Sequence, residues 1–365
     1  MSALRLLLVT DAVGGVWTYT LELARALKPL GIESVVAVAG PSPDERQREA
    51  AAGLALIDTG LPLEWMDVRP EEVIRADEEL ARIASLERAD IVQTSSAALL
   101  AGGAFGCARV AVQHSCVATW WAAVKGTPLP QEFEWRRDLV AQGLARADAV
   151  VAPTIAFAAA TERAYGLARP VLPVHNGRSP YPVTALPQGD FVFTAGRLWD
   201  EGKNVATLNR AAARMGAPFQ AAGPVKGPNG ASISLDHLVQ LGECDEARMS
   251  SLLAARPIYA SAALYEPFGL SVLEAAQAGC ALVLSDIPTH RELWDGAALF
   301  ADPRDDSAFA EAIGGLLDDR SLRQHLGEAA REHARQYTPE LMARGMAAIY
   351  ARVTAPQPQA IAGVA

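Results

Sequence analysis

Cysteine is sparse in this sequence and scattered. Cys107, Cys116, Cys244 and Cys280 form no C-x-x-C pair and no Cys/His cluster. That argues against a structural zinc site and against a disulfide framework, and it leaves four reduced thiols. Long apolar runs are also missing. Met1 to Thr10 is apolar with one arginine, but it lacks the length, basic start and small-residue cleavage site of a signal peptide, and it ends at Asp11 like a first buried strand. No uninterrupted stretch is long enough to span a bilayer, so the expected location is cytoplasmic. Basic charge is short as well: 32 lysines and arginines face 42 acids, giving a net charge of −10 and a pI near 5.2. No basic stripe is available for nucleic acid. Docking on anionic lipid needs clustered cations, whereas Glu71 to Arg88 alternates acids with arginines as a solvated helix face does. Membrane association is therefore not expected.

What is present is a globular composition, half hydrophobic and one fifth charged, over 365 residues. That length exceeds what one core serves and implies two domains. Short apolar runs alternate with amphipathic stretches. Leu4 to Val9, Ser34 to Ala39, Ile91 to Thr94, Val110 to Gln113 and Ala149 to Ala152 read as strands, with helices over Val16 to Leu27 and Glu71 to Leu86. Such alternation predicts parallel sheets covered on both faces. The pattern breaks over residues 178–189, where Pro180, Pro182, Pro187 and Gly189 mark a linker. It resumes with strands at Phe191 to Ala195, Phe219 to Ala222 and Ala281 to Leu284. Helices are read at Val205 to Met215, Glu246 to Ala255, Gly269 to Ala278 and Ala308 to Leu317. Ser321 to Arg352 reads as helical with a break near Pro339. The domains are thus 1–177 and 190–339, and residues 354–365 read as a disordered tail.

Three strand-turn-helix units carry candidate chemistry. Thr10 to Val16 places Gly14 and Gly15 between a strand and a helix, where backbone amides and the helix N-terminus form an anion site. It is not the G-x-G-x-x-G of dinucleotide folds, which weighs against a dehydrogenase. A tight turn without ligand is the plain alternative. Gly196-Arg197-Leu198 ends a strand, and Lys203-Asn204 begins the next helix. Two cations at the carboxyl end of a parallel strand suit a diphosphate, although either alone reads equally as a surface cation. In the third unit, Glu266-Pro267-Phe268-Gly269-Leu270-Ser271 leads into a helix that holds Glu274. The amides of Gly269 to Ser271 would face an anion or sugar hydroxyls, and the two carboxylates would accept from sugar and ribose hydroxyls. A hydrolase's acid and base is the rival reading of that pair. Arg197 and Lys203 argue against it.

These segments together resemble the retaining GT-B glycosyltransferases of family four, related to sucrose and glycogen synthases, over nearly the whole chain. Glu266 to Glu274 matches the glutamate-x7-glutamate signature, and Arg197 with Lys203-Asn204 the phosphate stretch. Gly14-Gly15 matches the N-terminal glycine loop, Val174-His175-Asn176-Gly177 the asparagine-glycine segment, and Ser285 through Pro303 the C-terminal pattern. Arg178-Ser179 departs from it, since the family often has a small apolar residue and then aspartate there. The resemblance implies an α/β protein of GT-B type, with two Rossmann-like α/β/α domains facing each other across a cleft. A final helix near 340–353 would pack back on the first domain. It also implies that Gly15, Arg197 and Lys203 hold the donor diphosphate, that Phe268, Gly269, Leu270 and Ser271 line the donor sugar, and that Glu274 meets the ribose. His114 and Glu266 are the implied catalytic positions. His175 and His237 read as structural.

No two aspartates stand two apart, so there is no D-x-D triplet to hold a divalent ion on a diphosphate. Fixed cations and amide dipoles would stabilise the leaving group instead. No metal and no other cofactor is expected. The expected reaction moves a hexose from a UDP- or GDP-linked donor to a sugar or glycan acceptor with retention. A GT-B sugar-nucleotide epimerase and a non-enzymatic sugar-binding protein are the alternatives. Finally, Ser115 to Arg137 holds Trp120, Trp121, Phe133 and Trp135 of only seven tryptophans and nine phenylalanines. With Lys125, Gly126, Pro128 and Pro130 the tryptophan pair reads as lying on a loop, one of Trp120 and Trp121 packed inward and the other lining the cleft toward the acceptor, and Phe133 and Trp135 read as helix core residues.

Overall fold

The computed structural model describes residues 4–182, 186–227 and 230–355. In chain order the first sheet's elements are β1 (Leu4–Asp11), α1 (Gly15–Leu27), β2 (Ile32–Ala39), α2 (Glu45–Ala50), β3 (Ala55–Asp58), α3 (Pro70–Leu86) and β4 (Ile91–Thr94). They continue with β5 (Ala108–Val112), α4 (Val117–Val124), α5 (Gln131–Arg146), β6 (Ala149–Ala152), α6 (Ile155–Tyr165) and β7 (Leu172–Pro173). The second sheet's elements begin with β8 (Val192–Ala195), α7 (Val205–Ala212), β9 (Phe219–Ala222), β10 (Val239–Gly242), α8 (Glu246–Ala254), β11 (Ile258–Ser261) and α9 (Leu270–Ala278). They end with β12 (Ala281–Ser285), α10 (Pro288–Trp294), β13 (Ala298–Ala301), α11 (Asp306–Asp318), α12 (Arg320–Ala334) and α13 (Pro339–Thr354).

Both sheets are parallel throughout. Their orders are β3-β2-β1-β4-β5-β6-β7 and β10-β9-β8-β11-β12-β13. Each therefore reverses direction at its first strand, β1 beside β4 and β8 beside β11. Open parallel sheets bind ligands at that reversal, beyond the strands' carboxyl ends. The apolar runs are long because each strand feeds two cores. Leu7 and Val9 of β1 pack on one face, while Leu6 and Leu8 pack on the other. The second sheet is likewise divided between Val192 and Phe193.

Helix α13 lies on the first domain, not the second. Met342, Ala343, Met346, Ile349 and Tyr350 join the core beneath α1, and the Tyr350 hydroxyl donates to Gln93. The chain reaches α13 by crossing the hinge against Gly177, where a β-carbon would overlap the Thr338 carbonyl. Residues 178–182 and 186–189 form no helix or strand. Most of the tail read at 354–365 lies outside the described residues, as do Val183 to Ala185 of the linker and Met1 to Ala3.

One expectation fails here. Trp120 and Trp121 stand on helix α4, not on a loop. Val117 to Val124 contains neither glycine nor proline, and the Cys116 thiol accepts from the Thr119 amide to cap it. Gly126, at φ 64°, and the prolines that suggested a loop all follow the helix. Phe133 and Trp135 are half-buried on α5 rather than fully interior. Trp135 packs on the core, and the Arg136 guanidinium sits 4.6 Å above its ring.

Candidate functional site

On the first domain's side, β1 delivers Asp11 and the glycine turn. Gly14, at φ 74°, caps α1 without a side-chain bond to the helix's first amides. Amides unclaimed by a cap are able to take an anion. Asp11 accepts from the Val13 amide at 2.7 Å. Burial nevertheless pushes its carboxyl up to about 6, against the pull of that bond and of Arg197. His114 follows β5, edge-on to the Tyr19 ring at 4.3 Å. Burial pushes its imidazole down to about 4, so it is neutral at pH 7. Its Nε2 is buried and has no hydrogen-bond partner among the described residues.

On the second domain's side, β8 ends before Gly196 and Arg197. Arg197 pairs with Asp200 at 3.1 Å. Burial pushes the Asp200 carboxyl up, but the Arg197 charge and hydrogen bonds from Gly202, Arg197 and Trp120 outweigh it and hold it below the usual range. Lys203 donates to the buried Glu266 carboxylate. The Glu266 carbonyl accepts from Thr289 at 2.6 Å. Gly269, at φ 88°, caps α9 without a side-chain bond, so the first amides of α9, beginning with Leu270 and Ser271, are also unclaimed by a cap. Ser271 is the second residue of α9, and the buried Tyr259 hydroxyl donates to the Ala195 carbonyl at 3.4 Å. Phe268 is different. Its ring is buried and perpendicular to Tyr337 at 5.6 Å, so its side chain belongs to the core and only its backbone can face a sugar. Glu274 lies one turn into α9, paired with Arg178 at 3.1 Å.

The two sides meet. A β-carbon on Gly14 would stand 3.0 Å from the Arg197 guanidinium, and one on Gly15 would stand 3.3 Å from Leu270. The Trp120 indole donates to Asp200 at 3.1 Å, and Lys125 pairs with Glu201. Tyr265 and Thr119 share a hydrogen bond of 2.8 Å. Trp121 stays within its own domain, bonded to Thr127 and packed against Phe133 at 5.5 Å. Gly15, Arg197, Lys203, Leu270 and Glu266 are thus linked by a chain of close contacts that runs from the glycine turn of the first domain to the start of α9 in the second. Of the histidines read as structural, His175 pairs with Glu292 at 3.0 Å, and that carboxylate also caps α6 across the domain boundary. The His237 amide donates to Asn209 at 2.9 Å.

Sequence reasoning missed several participants. Asp200 stands three residues after Arg197, a spacing that signals an ion pair. Asp11 lies inside the glycine motif without having been given a role. No local signal marks Thr289, Glu22, which accepts from Arg178, or the buried His290, whose Nδ1 lies 3.0 Å from the Ser285 hydroxyl. A concavity of about 830 Å³ between α12, α13 and Pro173 to His175 contains none of the candidate donor residues.

Two parallel-sheet domains meeting through glycine-led helix N-termini and a pair of cations define the GT-B class. The N-terminal part matches the family model described as Glycosyltransferase Family 4 over residues 13–180, and the C-terminal part matches Glycosyl transferases group 1 over residues 233–333. The chain belongs to these group-1 glycosyltransferases. It is 33% identical over 121 residues to phosphatidyl-myo-inositol mannosyltransferase of Mycolicibacterium smegmatis, covering 32% of this chain and 31% of that protein. It is 35% identical over 94 residues to glycogen synthase of Mycobacterium tuberculosis, covering 25% and 23%. These matches span a third or less of those relatives. Among solved structures, sucrose-phosphate synthase from Thermosynechococcus elongatus superposes with a TM-score of 0.78 at 18% identity, over 96% of this chain and 99% of that one. Anabaena HepE in complex with UDP-glucose gives 0.73 at 16% identity, over 95% and 99%. At such identities the likeness is one of fold. Among the described residues, no helix is long and apolar enough to cross a membrane.

Proposed function

We propose that this chain transfers a hexosyl group, with retention, from a UDP- or GDP-linked sugar to a sugar or glycan acceptor, without a metal. The observation that carries the reading is the convergence of Arg197 and Lys203 on two uncapped helix N-termini from opposite domains. Charge-assisted donors and oriented amides are what a departing nucleoside diphosphate requires. HepE, of the same fold, binds UDP-glucose. The D-x-D triplet of metal-bound donors is missing from the sequence. In this reading Arg197 and Lys203 take the diphosphate, with Gly15 close enough for backbone contact. Lys203 is then shared between phosphate and Glu266, which orients the sugar beside the backbone of Phe268 to Ser271. His114, neutral and with Nε2 unpaired, is suited to a sugar hydroxyl rather than to a phosphate. Glu274 takes the ribose. The leaving phosphate accepts the acceptor's proton as attack occurs on the same face. The four free thiols agree with a cytoplasmic setting.

The test is a thermal-shift screen of UDP, GDP and their hexosyl derivatives, followed by transfer assays in EDTA with the anomeric product read by NMR. Stabilisation by a nucleotide sugar and a retained anomer formed in EDTA are expected. Loss of transfer restored by magnesium or manganese overturns the metal-free reading. Binding of free sugar without nucleotide overturns the reading as a transferase.

A further inference from the structure

Arg178 is the point at which the hinge departs from the family's pattern, and its side chain is held by partners from both domains. Its Nη1 donates to Glu22 of α1 at 2.8 Å and its Nε to Glu274 of α9 at 3.1 Å. The three side chains are 15%, 9% and 12% exposed. One guanidinium therefore spans two buried carboxylates from different domains. The arginine is itself fixed. Its carbonyl accepts from Gln277 at 2.7 Å, its amide donates to Tyr337 at 3.3 Å, and the Tyr181 ring lies 5.0 Å from the guanidinium. Glu22 is held in turn by the Ser179 amide and hydroxyl.

We propose that Arg178 is a positioning residue that makes the site specific for a ribonucleotide, by locking the Glu274 carboxylate in one orientation against α1. The inference rests on the reading of Glu274 as the ribose carboxylate. A carboxylate discriminates a ribose diol only when its oxygens are held in place before the ligand arrives, because an unfixed one spends the gain on ordering. A buried glutamate with no cation would instead take up a proton and lose acceptor capacity. Arginine suits the task because its planar fork reaches both carboxylates at once, whereas lysine offers a point charge. Because Glu22 lies on the helix that begins at the glycine loop, the ribose site is complete only with both domains seated at the hinge.

The experiment is calorimetric titration of the full chain with UDP and GDP, each beside its 2′,3′-dideoxy form, for wild type, Arg178→Met, Glu274→Gln and the double variant. Wild type is expected to prefer one ribonucleotide over its dideoxy form by at least about tenfold. Arg178→Met is expected to bring that ratio to within about twofold of the Glu274→Gln value, with no further change in the double variant. A structural role alone lowers affinity for both forms and leaves the ratio unchanged, and that result overturns the proposal while the ribose reading stands. No preference in wild type overturns the ribose reading, and the proposal with it. Should Arg178→Met prove unfolded by circular dichroism, Arg178→Lys is read the same way: a lost preference supports the proposal and a retained one overturns it.

Discussion

Lys203 and Glu266 stand 63 residues apart and form an ion pair just before the start of α9. On the proposed reading, this pair ties the cation assigned to the diphosphate to the carboxylate assigned to the sugar before any ligand arrives. Arg197→Ala and Lys203→Ala should each weaken UDP or GDP binding by at least about 1.5 kcal/mol, the scale of a charge-assisted hydrogen bond. Lys203→Ala also leaves a buried carboxylate unpaired, which costs stability. Adding Glu266→Gln to it should restore the melting temperature but not the nucleotide affinity. Glu266→Gln alone should lower turnover more than nucleotide affinity. Calorimetry and thermal unfolding on the same variants check all of these, and unchanged nucleotide binding in both single cation variants defeats the diphosphate assignment.

Gly177 packs directly on the backbone that enters α13. The neighbour there is a carbonyl, not the end of a flexible side chain. Gly177→Ala must therefore move the hinge or the start of the helix. Overpacking of this kind costs about 1–3 kcal/mol, and urea denaturation should show a loss in that range. Gly216→Ala, with open space around its β-carbon position, is the control and should change stability far less.

The buried histidines set a pH dependence with a definite sign. His114 and His290 titrate near 4 in the folded protein against 6.5 for the free side chain, in both cases first through burial. The unfolded chain therefore binds more protons between those values, and stability present above pH 6.5 is lost as pH falls toward 4. Asp11 acts in the opposite sense. Its folded carboxyl titrates near 6 against 3.8, so the stability it contributes is present below 3.8 and lost as pH rises through 6. His290→Asn should flatten the decline between pH 6.5 and 4, by at most roughly 3 kcal/mol, and Asp11→Asn should steepen it. Urea denaturation at several pH values reads both slopes. Identical slopes in wild type and variants would remove these groups from the account.

The sequence showed buried strands such as Leu4 to Val9 and Ala281 to Leu284, which feed two cores and are apolar without alternation, but not β11, whose buried run from Ile258 to Ala260 is too short to stand out. It did not show β10, whose residues are largely exposed and form no apolar run. The glycine loops were legible because positive φ at Gly14 and Gly269 demands glycine and leaves a signature. The cations were legible from their place after a strand. What escaped was long-range pairing. Arg178 meets Glu274 across 96 residues and Glu22 across 156. No local spacing encodes either contact. Helix α4 escaped because the glycine and prolines that follow it outweighed eight residues of helical composition.

The two adjacent tryptophans of α4 should now behave differently. Trp120 donates its indole N–H across the domain boundary to Asp200, which in turn holds Arg197. Trp121 bonds to Thr127 and packs on Phe133, with Lys125 5.9 Å from its ring and no direct hold on the donor side. A half-buried indole beside the cleft suits the apolar face of a sugar acceptor. Trp121→Ala should therefore raise the acceptor's KM while nucleotide affinity stays within about twofold. Trp120→Ala should weaken the nucleotide as well, by roughly tenfold, since a hydrogen bond to a charged group is worth about that much. Steady-state kinetics in both substrates, with calorimetry for UDP and GDP, separate the two effects. Wild-type acceptor kinetics in a folded Trp121→Ala variant would place the acceptor elsewhere. Unchanged nucleotide affinity in Trp120→Ala would show that the bridge to Asp200 does not hold Arg197 in place.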